Sequence, residues 1–384
     1  MSGTFTVYNP GAVPVPVYFS YSFTSKVPGD MVPAFFSKAM ILFNCDYSEG
    51  AHADILRRMA ETNMEQTAGY GEDPYCDQAR KLIAGLCGRT DLDIHFLIGG
   101  TQTNFTVIAA ALRPHQCVLC ADTGHINVHE SGAVEACGHK VSAIPSPDGK
   151  LTARQIEEAW HAHWDDETRE HMPQPRMVYI SQPTELGTIY SRKELQEISG
   201  VCRRRGLYLY MDGARLGYGL CDEDNDLDLP AIASLCDAFY IGGTKVGALF
   251  GEALVLRHEA LKEDFRYIAK QKGGRLAKGR LLGIQFLELF RDGLYFRLGA
   301  HADHLAVMLR DFCRSRGLAL PFSSGTNQQF VTMPDSVLEE LGRKYGFAYL
   351  RREDETHSTV RFCTSWATRE EDVRELMADI ARLC

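Results

Sequence analysis

Two stretches decide how this chain reads: Tyr208-Leu-Tyr-Met-Asp-Gly-Ala-Arg-Leu216 and Ala238-Phe-Tyr-Ile-Gly-Gly-Thr-Lys-Val-Gly-Ala248. Each is an apolar, β-prone run that ends in charge. Asp212 and Arg215 close the first, and Lys245 closes the second. A parallel strand buried on both faces reads as such a continuous apolar run. Ligands of open α/β sheets bind beyond the carboxyl ends of the strands. The pattern therefore brings an acid, a guanidinium and an amine to one crevice. Taken singly, each has a plainer reading. A lysine after a strand is usually a surface charge, and an Asp-Gly pair is usually a turn.

Outward from this pair the chain alternates strand and helix. Residues 94–98, 118–121, 140–145, 177–181, 207–211 and 238–241 read as strands. Residues 103–112, 126–137, 152–163 and 192–205 read as helices between them. The alternation predicts an α/β fold with a mainly parallel sheet and right-handed crossovers. Residues 252–256 read as an antiparallel strand leaving that sheet. Past residue 280 the pattern changes to helices at 281–291 and 298–313. A strand at 328–333, a helix at 337–345, a strand at 360–364 and a last helix from 369 follow. The expected organisation is a large α/β domain over 40–280 and a smaller C-terminal α+β domain over 281–384. Residues 1–39 hold several prolines and aromatics and almost no charge. They read as a peripheral N-terminal extension, or as an arm that packs on a neighbouring subunit, and not as a signal peptide.

Composition narrows the function classes. The chain has 384 residues, 45% of them hydrophobic, enough for a sizeable core. Its formal net charge of -9 argues against a nucleic-acid binder, which needs a basic field. No apolar run is long enough to span a bilayer. The 12 cysteines are scattered along a large chain and read as free thiols in a reducing, cytoplasmic setting. Cys117 and Cys120 form a lone C-x-x-C on an apolar run. Without a second pair or a His-x-x-x-His they make no zinc set, and no metal is expected.

Several further segments carry chemistry. Gly99-Gly100-Thr101-Gln102-Thr103-Asn104 lies between a strand and a helix. It is either a phosphate cradle, with free N–H groups, the helix dipole and two hydroxyls, or a tight turn capped by threonine. His125 follows the next strand. It can stack on a planar ring, shuttle a proton near neutral pH, or sit on a surface loop. His129 and Glu130, one turn on, are either a metal pair with His125 or simply exposed. Gly69-Tyr70-Gly71-Glu72-Asp73-Pro74 is a turn and helix cap, or a loop that reaches a partner's site. Lys270, Lys272, Arg275, Lys278 and Arg280 form a basic run that is solvated or meets a local anion. Arg361, inside an apolar strand, needs a carboxylate, either internal or from a substrate. A lysine able to form a Schiff base, with an acid facing a ring nitrogen, is what pyridoxal phosphate chemistry requires.

Together these pieces resemble a known family. Tyr70-Gly-Glu-Asp-Pro, Gly-Gly100-Thr101-Gln-Thr-Asn, Gly-His125-Ile, Met-Asp212-Gly-Ala-Arg215-Leu, Gly-Thr-Lys245 and Val-Arg361-Phe stand in the order seen in low-specificity threonine aldolases. Those are β-eliminating lyases that use pyridoxal 5'-phosphate on the aspartate aminotransferase fold. The resemblance runs from about residue 43 to the end and implies a seven-stranded-type sheet. It implies that Lys245 holds the cofactor covalently and that Asp212 faces its ring nitrogen. Gly100 and Thr101 take the phosphate, and His125 stacks on the ring. Arg215 and Arg361 receive the substrate carboxylate, and Tyr70 looks across a subunit interface of a homodimer or homotetramer. The implied reaction is aldol cleavage of a β-hydroxy-α-amino acid, such as threonine or allo-threonine, to glycine and an aldehyde. His125 is the expected base. β-Elimination or transamination with the same cofactor, or non-catalytic cofactor binding, are the alternatives.

Overall fold

The apolar runs around Asp212 and Lys245 lie in the middle of a seven-stranded sheet. A computed structural model of the protein describes residues 40–384, so the extension expected over 1–39 lies outside the described residues. The first described element is a short strand, β1 (Ile41–Leu42). The central sheet holds β2 (Asp93–Leu97), β3 (Gln116–Ala121), β4 (Lys140–Ile144), β5 (Gln174–Ser181), β6 (Tyr208–Asp212), β7 (Ala238–Gly242) and β8 (Glu252–Leu256). Their order across the sheet is β2-β8-β7-β6-β5-β3-β4. Only β8 runs against its neighbours, β2 and β7, as its place after the last crossover suggests. The remaining ladders are parallel.

Both faces of the sheet are covered, which explains the unbroken apolar runs. Leu209, Met211, Phe239 and Ile241 point into the core on one face. Tyr210, Ala238 and Tyr240 alternate with them and fill the core on the other. Tyr179 of β5 fills the same core as Tyr210 and Tyr240, and all three carry hydroxyls into the interior, where each must find a partner. They find it at the site below.

A second sheet follows, of β9 (Gln328–Pro334), β11 (Ala348–Arg352) and β12 (His357–Cys363), antiparallel in the order β11-β12-β9. Helices Leu294–Ser315 and Glu370–Leu383 cover it. The two-residue strand β10 (Tyr345–Gly346) pairs in parallel with β1. The start of the described chain therefore belongs to the core of this second sheet, where Phe43 packs with Tyr345 and Phe362.

Some expected elements differ. The helix read over 126–137 is two short pieces, His125–Val128 and Ala133–Ala136. Ser131 and Gly132 between them both have positive φ, 51° and 72°, which no helix accommodates. The helix read over 337–345 ends at Gly342, and Tyr345 leaves it to join a strand. Strand β11 is not among the expected strands; its side chains are mostly exposed, and a three-residue Ala-Tyr-Leu run followed by two arginines is too short to mark it. All 12 cysteines are free, and Cys117 and Cys120 are buried on β3.

Candidate active site

Close backbone approach brings the two strand ends together. A Cβ on Gly213 would lie 1.9 Å from the Tyr240 carbonyl oxygen, and one on Gly242 would lie 2.3 Å from that of Ala214. Only glycine at both places lets the loops after β6 and β7 touch. The Gly242 N–H donates to the Gly213 carbonyl at 2.9 Å across this contact. Asp212, Arg215 and Lys245 then line one cavity of about 310 Å3. Gly99, Gly100, Thr101, His125 and Glu185 also face it. A second cleft of about 630 Å3 shares His125, Glu185, Arg215 and Lys245 and extends to Arg361 on the small sheet.

Among the described residues the Lys245 amine has no hydrogen-bond or ion-pair partner. Burial and the Arg215 charge hold its pKa below the ordinary lysine value, while Asp46 and Asp212 oppose them. A larger fraction of the amine is therefore neutral and nucleophilic. Tyr218 fixes the lysine's backbone by donating to its carbonyl oxygen.

Asp212 is buried beneath the cavity and accepts four hydrogen bonds. Asn104 Nδ2 and Tyr179 Oη donate to Oδ2 at 2.9 and 2.6 Å. Tyr240 Oη and the Ala214 N–H donate to Oδ1 at 2.5 and 2.9 Å. Burial alone would raise its pKa, but the charge of His125 and the donors outweigh that and hold it below the usual carboxylate range. All four direct donors are neutral. The negative charge has no salt-bridge partner among the described residues and stands available to a cation in the cavity.

Helix Gly100–Ala111 begins at the cavity wall. Its N-cap, Gly99, offers no side-chain cap. Among the described residues the N–H groups of Gly100, Thr101 and Gln102 meet no acceptor, as expected of the orphan donors of a first turn. A phosphate beside Thr101 would satisfy them. A free amine, an unpaired buried carboxylate and a bare helix start lining one cavity fit pyridoxal phosphate.

The two arginines differ. Arg215 is already engaged, with Nε 2.7 Å and Nη2 3.1 Å from the two oxygens of buried Asp46. Arg361 has no carboxylate partner among the described residues. Its Nη1 donates to Gln328 Oε1 and its Nη2 to the Asn44 carbonyl, both at 2.9 Å. Its Nε is buried without a partner. The internal salt bridge weighed from sequence is thus not formed. Tyr70 lies apart from the cavity, on a surface cleft with Glu72, Arg266, Lys270 and Arg275. It is exposed, and Lys270 sits over its ring at 4.3 Å.

Sequence reasoning did not single out several acids that the fold brings to the site. Asp46 also accepts from Asn327 Nδ2 at 2.9 Å. Against the cost of burial, Arg215 and Lys245 lower its pKa to about 2. Its signal was present: like Asp212, it closes an apolar run, here Met40-Ile-Leu-Phe. Glu185 accepts from the His125 N–H at 2.9 Å and from Ser181 Oγ at 2.7 Å, and burial raises its pKa. Glu252, on the antiparallel strand, accepts from Thr244 Oγ1 at 2.8 Å. Burial pushes its pKa up to about 8. Glu130 is not exposed, as one sequence reading had it, but buried against His125.

Comparison with known proteins agrees with this geometry. A family profile described as β-eliminating lyase matches residues 45–336. The low specificity L-threonine aldolase of Pseudomonas sp. (strain NCIMB 10558) is 34% identical over 353 residues, covering 88% of this chain and 96% of that protein. That of Pseudomonas aeruginosa is 32% identical over 342 residues, with the same coverage of 88% and 96%. Among solved structures, a Leishmania major threonine aldolase superposes with a TM-score of 0.87 at 45% identity, covering 89% of this chain and 99% of that one. A Thermus thermophilus aspartate aminotransferase variant, at 14% identity and a TM-score of 0.65, shares the fold.

Proposed function

Because the chain belongs to the β-eliminating lyase family of pyridoxal-phosphate-dependent enzymes, we propose that it cleaves the Cα–Cβ bond of β-hydroxy-α-amino acids, threonine and allo-threonine among them, to glycine and an aldehyde. The observation that carries this reading is the Lys245 amine, without a partner among the described residues, in one cavity with Asp212, and in the adjoining cleft with an Arg361 guanidinium that meets no carboxylate among the described residues.

Each side chain has a distinct task. Lys245 and Asp212 would hold the cofactor, with Gly100 and Thr101 at its phosphate. When bound, the cofactor supplies a ring that takes up the electron pair of a broken Cα bond. Arg361 receives the substrate carboxylate through charge-assisted hydrogen bonds. That contact fixes the rotation about Cα and so selects the bond that breaks. Arg215, engaged in a bidentate salt bridge with Asp46, lines the same wall. His125 accepts the proton of the β-hydroxyl. Asp212 stays ionised throughout because its donors stabilise the charge.

A homodimer or homotetramer completes the proposal, with Tyr70 and its basic neighbours facing a second copy. Among the described residues no helix is long and apolar enough to cross a membrane, which is compatible with work in the cytoplasm. The decisive assay incubates the protein, loaded with cofactor, with a panel of β-hydroxy amino acids and identifies both products. Glycine and the matching aldehyde are expected, and Lys245→Ala should lose both turnover and the covalent cofactor absorbance. Ammonia and a keto acid in place of glycine would transfer the assignment to elimination.

A further inference from the structure

A line of hydrogen bonds joins His125 and Asp212, two groups that line the cavity. His125 Nδ1 lies 2.8 Å from Glu130 Oε1. Asn104 Nδ2 donates to that same oxygen at 2.7 Å and to Asp212 Oδ2 at 2.9 Å. Tyr210 Oη donates to Asn104 Oδ1 at 2.8 Å. This set of partners leaves one orientation for the amide. Its NH2 group must face the two carboxylates, which only accept, and its oxygen must face the hydroxyl. The Glu130 side chain is fully buried, and its Oε2 has no partner among the described residues. A buried carboxylate left half satisfied is costly, so its retention calls for a role.

We infer that Glu130, with Asn104, is a positioning residue that fixes the His125 imidazole with its proton on Nδ1 and its lone pair on Nε2. A neutral imidazole whose Nδ1–H is held by a carboxylate can accept a proton only at the other nitrogen. Nε2 has no partner among the described residues, and His125 lines both clefts. Glu130 also stabilises the imidazolium that forms when His125 takes a proton. This inference rests on the proposed role of His125 as base and says how that base is made ready.

Other charges face the ring, and none duplicates Glu130. His129 lies 5.5 Å away, centroid to centroid. Asp122 and Glu185 approach from the loops after β3 and β5, and Glu185 binds the His125 backbone and not the ring. Asp212 lies beyond Asn104. Arg215, Lys245 and Arg361 line the same cleft as His125.

The test compares cofactor-loaded wild type, Glu130→Gln and Glu130→Asp. Removing the carboxylate destabilises the imidazolium, so the acid limb of the kcat/KM profile should move to lower pH by about one unit. The Gln side chain can also offer its NH2 to Nδ1 and impose the other tautomer. A fall in kcat of about tenfold or more is therefore expected, with cofactor absorbance unchanged. Glu130→Asp should recover part of kcat and the original limb. In parallel, 15N shifts of the His125 ring, assigned by difference against His125→Gln, should report an Nδ1–H tautomer in wild type that Glu130→Gln loses. An unmoved acid limb, or an unchanged tautomer, overturns the inference while leaving the aldol reading intact. If wild type yields no glycine, that reading fails, and the ring shifts alone decide the inference.

Discussion

Arg215 and Arg361 carry the same charge, yet their partners assign them different work. Arg215 is bidentate to an acid that shows 0% exposure, so the pair behaves as a buried salt bridge. Removing one member of such a pair leaves an uncompensated charge and costs about 3–5 kcal/mol. Arg215→Ala should therefore lower the denaturant midpoint sharply. Acid should act in the same place. The folded pKa of Asp46, about 2, lies below its ordinary 3.8. The stability it contributes is present above the unfolded value and is lost as pH falls through the folded one. Among the described residues Arg361 meets only neutral acceptors, and its Nε has no partner. Its loss should leave stability nearly unchanged and raise KM for the amino acid about tenfold or more, the worth of a charge-assisted contact. Equal KM effects from the two variants would contradict this division.

The helix Gly100–Ala111 is the element that turns a strand end into an anion site. Its first-turn donors have no acceptors among the described residues, and Thr101 lines the same cavity. Thr101→Val keeps shape and removes one donor. The dissociation constant for pyridoxal phosphate should rise about tenfold, with the melting temperature of the cofactor-free protein unchanged. An unaltered constant would remove Thr101 from the phosphate site. This helix and the two strand ends were legible from sequence, because each couples an apolar run of the right period to residues whose chemistry has few uses. Crossover rules narrow the possible sheet orders once the strands are read, but the order itself is seen only in the structure. What sequence hid has a physical reason. The pairing of Arg215 with Asp46, 169 positions apart, depends on tertiary folding that no local period encodes. Glu130 looked exposed on a continuous helix. The positive φ of Ser131 and Gly132 breaks that helix and turns the acid inward. Strand β11 is mostly exposed and is held by backbone pairing to β12, and its short Ala348-Tyr349-Leu350 run ends in two arginines, so neither an alternating nor a long apolar pattern marks it.

At the scale of the whole molecule, residues 41–46 tie the second sheet to the active site. Phe43 is buried in the core of that sheet. Its backbone N–H donates to Gly346 at 2.7 Å, and its carbonyl accepts from Cys363 at 2.8 Å. The next residue, Asn44, accepts from Arg361, and Asp46 reaches back to Arg215. One short segment thus sets the distance between the two arginines. Phe43→Ala removes a ring from the core and should cost about 3–5 kcal/mol. Because the cavity sits directly under this segment, it should also raise KM for the amino acid. Ile380→Ala provides the contrast. Ile380 is fully buried in the same core, on the C-terminal helix, but contacts neither arginine through its backbone. It should lose about 2–5 kcal/mol of stability with KM unchanged. If both variants shift KM alike, general loosening of the second sheet explains the effect. If only Phe43→Ala does, the segment itself positions the carboxylate site.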